Sequence, residues 1–219
     1  MKLSVVVPVY NEQENINSLI SHIRQLADCE IVVSDANGET MKVIEDKYVI
    51  AINSPKGRAN QMNVGAEKAS GDILLFLHAD TDLPENFYDI IEKGLANYDA
   101  GAFRLEIDDD RPIFRIIEKI VALRNKLTRT PYGDQGIFCT KEAFNSVGGY
   151  ADIPLMEDVR LMQDFKKRGC KVLLSGVPVR TSARRWQKEG LIYTTLRNWV
   201  IISLYYMGVN PSRLKKFYK

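Results

Sequence analysis

The first 105 residues alternate short β-branched apolar runs with segments of helical periodicity, and few folds accept that order. Leu3 to Val9 is a valine-rich run. Ile16, Leu19, Ile20, Ile23 and Leu26 then recur at helical spacing, with Asn11 offering an N-cap and Glu14 following three residues on. Glu30 to Ser34 reads as a second strand, Met41 to Asp46 as a short helix and Tyr48 to Ile52 as a third strand. Ala59 to Ala69 reads as a helix, and Ile73 to Leu77 as a fourth strand, apolar throughout. Parallel neighbours need a helix-length crossover, so this alternation predicts an α/β fold with a Rossmann-like, mostly parallel sheet and helices on both faces.

Ligands of open α/β sheets bind beyond the carboxyl ends of the strands. Those positions are unusually polar here. The first strand runs into Pro8-Val9-Tyr10-Asn11-Glu12, the second into Asp35-Ala36-Asn37-Gly38, the third into Ser54-Pro55-Lys56-Gly57-Arg58 and the fourth into His78-Ala79-Asp80-Thr81-Asp82. Such groups suit a base, a pyrophosphate and a metal. The densest of these segments is LLFLHADTDLP, Leu74 to Pro84, where a buried strand releases Asp80 and Asp82 beside His78. One or two carboxylates with diphosphate oxygens completing the shell suit Mg²⁺ or Mn²⁺. Plainer roles compete: Asp82 as a cap for the helix after Pro84, and His78 as a packing residue.

Beyond Gly101 to Ile107 the pattern loosens. Asp108-Asp109-Asp110 is a loop, and Ile113 to Leu127 is a basic amphipathic helix. Gly133 to Phe138 reads as a strand with its approach, Lys141 to Val147 as a helix ended by Gly148-Gly149, and Leu155 to Arg168 as another helix. Lys171 to Leu174 reads as a strand, and Gln187 to Met207 as an apolar, aromatic helix. There is no repeat and no Pro/Gly/Ser linker, so residues 1–219 are expected to form one domain, with 106–219 elaborated around the nucleotide-binding half 1–105.

The net charge of +2 conceals a division. Residues 1–110 hold 9 Lys and Arg against 20 Asp and Glu, a net of −11, whereas residues 111–219 hold 21 against 8, a net of +13. An acidic half suits a divalent cation, and a basic half suits phosphate or an anionic surface. Two solvated faces of opposite sign would need no function at all. The basic residues lie among apolar ones without a recognition helix or an aromatic RNA-binding pattern, which argues against nucleic acid. Leu3 to Val9 is too short for a signal-peptide core, and no stretch reaches the roughly 20 apolar residues of a membrane span. Cys29, Cys139 and Cys170 are odd in number and far apart, which predicts buried thiols in a reducing cytoplasm.

Taken in order, these motifs resemble those of family 2 glycosyltransferases of the GT-A fold. The opening VVVPVYNE, Val5 to Glu12, is similar to the family's first strand, and the resemblance implies that Pro8, Tyr10 and Glu12 line a nucleotide pocket. It implies that Asp35 contacts the base, that Arg58 and Asn63 of the GRANQMN segment lie near the nucleotide, and that Asp80 matches the last aspartate of the metal motif, with His78 standing where the first usually is. Leu155-Met156-Glu157-Asp158 resembles the ED motif, whose aspartate, here Asp158, would be the general base with Glu157 beside it. Gly133-Asp134-Gln135-Gly136 resembles the acceptor-side loop. Thr181-Ser182-Ala183-Arg184-Arg185-Trp186 resembles the RW element, in which Arg184 or Arg185 assists departure of the diphosphate and Trp186 stacks on a sugar. The combined motifs also resemble a compact group associated with arsenosugar biosynthesis.

The resemblance implies an inverting, metal-dependent transfer from a nucleotide-diphosphate sugar to an acceptor hydroxyl. A nucleotidyltransferase and a catalytically silent nucleotide-sugar binder are the alternatives. The former would carry a glycine-rich basic signature after the first strand, where this chain has Tyr10-Asn11-Glu12. The apolar stretch Trp199 to Val209, followed by Arg213, Lys215, Lys216 and Lys219, suits packing on the core, a homo-oligomer contact or a peripheral place at the inner membrane face.

Overall fold

The computed structural model describes residues 1–218. Strand β1 (Leu3–Val9) leads through helix α1 (Ile16–Leu26) to β2 (Glu30–Asp35), and β3 (Ile50–Asn53) through α2 (Arg58–Lys68) to β4 (Ile73–Phe76). Next come β5 (Thr81–Asp82), α3 (Phe87–Leu95), β6 (Ala100–Asp108), α4 (Pro112–Thr128), β7 (Ile137–Thr140), α5 (Lys141–Ser146) and α6 (Glu157–Arg168). The chain closes with β8 (Val172–Ser182), α7 (Arg184–Glu189), α8 (Leu191–Tyr206) and α9 (Pro211–Leu214).

The eight strands of the described residues form one sheet in the order β3-β2-β1-β4-β7-β6-β8-β5. The first four are parallel, as their sequence order demands. β7 runs antiparallel to both β4 and β6, β6 and β8 are parallel, and the short β5 is antiparallel to β8.

Alternation along β1 explains why both faces are covered. Val5, Val7 and Val9 join a core built on α1 and α3, with Ile16, Ile23, Phe87 and Ile91. Val6 points the other way, into a core built on α2, α5 and α6 with Met62, Phe76, Phe144 and Phe165. A Cβ at Gly65 would run into Val6, so the glycine is what lets α2 lie close on the sheet. Smaller clusters tie the later helices down: Leu105, Ile107, Phe114 and Ile117 under α4, and Leu155, Ile201 and Leu214 between α8 and α9.

Four local expectations are corrected. Asn11 does not cap α1: it adopts φ 58°, its side-chain oxygen accepts from Asn37 at 2.6 Å, and α1 starts at Ile16 after Asn15. The segment from Met41 is a single 3₁₀ turn ending at Val43. The strand expected at Lys171 to Leu174 continues to Ser182, because the irregular register between Ala102 and Arg104 lets β6 follow it past Gly176 and Pro178. The helix expected over Gln187 to Met207 is two helices, divided at Gly190, whose φ of 90° no helix accepts.

Candidate functional site

A cavity of about 310 Å³ opens beyond β4, between the loop after that strand, the first turn of α6, the start of α7 and the facing sides of α4 and α8. One end is charged, lined by Arg58, His78, Asp80, Asp134, Asp158 and Arg184; the other is walled by Ile117, Ile120 and Val121 of α4 and by Thr195, Trp199 and Ile202 of α8.

Helix α6 delivers two neighbouring carboxylates in different directions. Met156, at φ 65°, turns the chain into the helix. Glu157 points inward, 2% exposed, with Oε1 2.7 Å from Nε of Arg58 and Oε2 without a hydrogen-bond partner. Burial pushes its pKa up, the charge of Asp158 adds to this, and Arg58 opposes it. Asp158 faces the cavity. Its Oδ2 accepts the backbone N–H of Gly133 at 2.7 Å and its Oδ1 that of Val159 at 2.7 Å, and it sits in the first turn, where the helix dipole favours negative charge. A Cβ on Gly133 would stand 3.2 Å from Nε2 of His78 and 3.4 Å from Oδ2 of Asp158, so any larger residue would press the imidazole and the carboxylate back by a few tenths of an ångström.

Burial and the Arg58 charge push the His78 pKa down to about 4, against Asp80 and Asp158, so its imidazole is neutral at neutral pH. Burial pushes Asp134 up to about 6; Asp158 and Asp80 raise it and Arg124 and Arg58 lower it. Beside Asp134 of the expected acceptor-side loop stand two residues that no motif names, Arg124 and Tyr132, whose guanidinium and ring stack at 3.4 Å. The signal for Asp134 was present, as the one acid of the Gly133 to Gly136 loop.

Arg184 bridges the two ends of the N-terminal half. It donates to both carboxylate oxygens of Glu12, at 3.2 and 2.8 Å, and its Nη2 also lies 3.1 Å from Oδ2 of Asp80. Arg185 lines the same cavity over the ring of Tyr218, 4.8 Å away, its pKa lowered by burial and by Arg58. Trp186 lines the cavity too, packed edge-on against Phe114 at 5.6 Å between centroids, with its indole N–H unpartnered. The buried oxygens of Tyr132, Thr195 and Asn198 are likewise unpartnered, and all three side chains line the cavity. Polar atoms this deep without partners suit a ligand that brings its own donors and acceptors.

Other expected site residues lie elsewhere. Asp82 belongs to β5, where alternation buries Thr81 and turns Asp82 outward into a separate shallow groove beside Asp108 and Arg180; only His78 and Asp80 of the three expected metal ligands reach the main cavity. Asn63 uses its amide to clamp Tyr150, accepting from its N–H at 2.9 Å and donating to its carbonyl at 2.8 Å, in place of a nucleotide contact. Asp35 is fully buried, its oxygens accepting the N–H groups of Asn37 and Met41, so it shapes the loop and shows no surface to a base. Pro8 is half-buried within β1, opposite Ser34. Tyr10 is exposed at the end of that strand with the Lys56 ammonium 4.1 Å from its ring centre.

Among the described residues no three His, Cys, Asp or Glu side chains gather as a metal cluster. The donor set that reaches the cavity is one carboxylate, Asp80, and a neutral imidazole, His78. Two such groups are too few for a resident ion, yet they fit a divalent ion that shares its shell with a diphosphate.

The family model described as glycosyl transferase family 2 matches residues 4–145. The chain is 30% identical over 154 residues to an undecaprenyl-phosphate 4-deoxy-4-formamido-L-arabinose transferase of Proteus mirabilis, a match over 62% of this chain and 47% of the relative. It is 36% identical over 95 residues to a dolichol-phosphate mannosyltransferase of Pyrococcus furiosus, covering 38% of this chain and 27% of the relative. The chain therefore spans less than half the length of these curated relatives. Neither relative singles out the arsenosugar-associated group. Its fold is similar to that of TarS from S. aureus in complex with UDP-GlcNAc, at TM-score 0.64 and 16% identity over 83% of this chain and 58% of that one. It is similar also to the mannosyltransferase PcManGT from Pyrobaculum calidifontis in complex with GDP-Man and Mn²⁺, at TM-score 0.65 and 19% identity over 82% and 56% of the two chains. The match of the family model across most of the sheet makes the assignment plain: this chain belongs to glycosyl transferase family 2.

Proposed function

We propose that the protein transfers a sugar, with inversion, from a nucleotide-diphosphate sugar to an acceptor hydroxyl in the cavity between β4, α6, α4 and α8. The observation that carries the reading is the Asp158 carboxylate, held by Gly133 and the first turn of α6 so that it faces the cavity across from Asp80 and Arg184. In the reaction the acceptor oxygen bonds to the anomeric carbon while the bond from that carbon to the diphosphate breaks. The acceptor proton passes to Asp158, and the electron pair leaves with the diphosphate. Arg184 and Arg185 orient the departing diphosphate and neutralise its charge; Tyr10, Glu12 and Arg58 border the donor side.

His78 and Asp80 are the groups that would hold Mg²⁺ or Mn²⁺ alongside the donor. An ion held there would neutralise charge developing on the leaving group. The UDP-GlcNAc and GDP-Man of the fold neighbours support a nucleotide-sugar donor, and the polyprenyl-phosphate names of the relatives support a lipid-linked acceptor.

The test is Asp158→Asn, which keeps the side chain's size. Transfer from a panel of UDP, GDP and dTDP sugars is expected to fall by about 10²- to 10⁴-fold with donor binding intact. Near wild-type transfer, or a product with the donor's anomeric configuration, would overturn the reading. Binding of a donor by the wild type with no turnover of any would leave the silent binder standing instead.

A further inference from the structure

Helix α4 carries an apolar stripe that nothing among the described residues covers. Ile113, Ile116, Ile120, Leu123 and Leu127 recur at spacings of three and four, and all are exposed, Leu123 by 59% and Leu127 by 77%. Their neighbours Phe114 and Ile117 face inward and hold the helix to β6. Helix α8 has the same division: Thr194 and Ile201 are buried, whereas Ile192, Leu196, Trp199 and Val200 are exposed. A water-facing helix has little reason to carry such residues on its outer side. The two stripes flank one opening, since Ile120 and Trp199 are both exposed and both line the cavity. No helix of the described residues is long and apolar enough to cross a membrane.

Charge identifies the occupant. From 111 to 129 the chain holds Arg111, Arg115, Lys119, Arg124, Lys126 and Arg129 against a single acid, Glu118. Glu118 is buried, accepts the N–H of Ile107 and pairs with Arg115 at 3.0 Å, and Arg111 pairs with Asp109 at 2.8 Å, so the outer charge of this face is carried by Lys119, Arg124, Lys126 and Arg129. A second copy docking on this face about a two-fold axis would set one basic helix against another. An anionic bilayer accepts both the apolar stripes and their basic flanks.

We propose that α4 and α8 together form a docking face for an anionic lipid surface and hold the mouth of the cavity against the headgroups, where a lipid-borne acceptor enters between Ile120 and Trp199. The last clause rests on the transfer reading; the docking itself does not. The apolar side chains settle at the level of the headgroups, the basic residues pair with lipid phosphates, and the charged end of the cavity stays on the water side for the donor.

Co-sedimentation of the full chain with vesicles tests this. The protein is expected to bind phosphatidylglycerol-rich vesicles, to bind pure phosphatidylcholine far less, and to be released by high salt. Leu123→Asp combined with Leu127→Asp is expected to weaken vesicle binding by roughly tenfold or more, leaving the melting temperature and donor binding unchanged, because both side chains point to solvent and neither lines the cavity. Lys119→Ala with Lys126→Ala is expected to weaken binding to anionic vesicles by about fivefold per charge and to reduce its salt dependence. Failure to sediment with either vesicle overturns the proposal. So does a stable dimer in light scattering that the double aspartate variant dissociates, which would assign the face to a second copy. Vesicle binding by Asp158→Asn should equal that of the wild type, so docking and transfer fail separately.

Discussion

Nε of Arg58 lies 2.7 Å from Oε1 of Glu157, and the carboxylate on the receiving side is buried while its second oxygen has no partner. The pair joins the first residue of α2 to the first residue of α6, so two helix starts on the same face of the sheet are pinned to each other. Arg58→Ala strands a buried charge and is expected to cost about 1–3 kcal/mol, measured as a shift in the urea midpoint. Glu157→Gln keeps an acceptor for Arg58 and removes the buried charge, so it should cost less. Equal losses in the two variants would mean that the guanidinium, and not the burial of the acid, sets the energy.

Arg184 occupies Asp80 as a cation would. Removing it frees the carboxylate, so Arg184→Ala is expected to tighten Mn²⁺ binding in the absence of nucleotide while weakening binding of a nucleoside diphosphate, both followed by calorimetry. Weaker binding of both ligands would show that Arg184 and the ion cooperate at Asp80.

Asp134 gives stability a defined slope with pH. Its folded pKa, about 6, exceeds the ordinary 3.8 of an aspartate, so the folded protein holds this proton more tightly than the unfolded chain does. Its contribution to stability is therefore fully present below about pH 4 and is lost as pH rises to about 6. Asp134→Asn cannot ionise. The variant should melt above the wild type at pH 8, with the difference vanishing near pH 4; thermal melts across that range decide it. His78 acts in the opposite sense over an overlapping window: its folded pKa of about 4 lies below the ordinary 6.5, so stability present above 6.5 is lost as pH falls toward 4. Comparing Asp134→Asn with the wild type cancels much of that background.

Asn63 separates scaffold from site. Asn63→Ala removes two hydrogen bonds to Tyr150 and should cost about 1–2 kcal/mol in chemical denaturation. Affinity for a nucleoside diphosphate should stay within twofold of wild type; a large loss of affinity would return Asn63 to the site.

The parallel half of the fold was legible because its signals are local: a valine run, a helical period and another apolar run, repeated. The later half was less so, because its determinants are distant in sequence. Gly176 and Pro178 look like the end of a strand until β6 supplies a partner that tolerates them, and Thr81-Asp82 is a strand only because β8 lies alongside. At the candidate site, Asp158, Asp80, Arg184 and Arg185, which the motif order singles out, line one cavity. Asp35 and Asn63 do not, since which polar side chain is consumed by backbone groups depends on loops whose paths no local pattern records. The exposure of the α4 stripe was equally hidden: an amphipathic period announces a helix with an apolar face, and Ile113 to Leu127 has one inward and another outward.

The placement of β7 makes each half of the chain depend on the other. β4 and β6 flank it, so the gap between them stays open until residues 137–140 arrive from the far side of α4. The acidic half alone would hold a four-stranded parallel sheet whose β4 edge lacks its partner and a nine-residue strand, β6, with neither of its neighbours; the basic half supplies both β7 and β8. The two oppositely charged halves are thus not modules to be cut apart and recombined, and a split between them should yield aggregates in place of two working pieces.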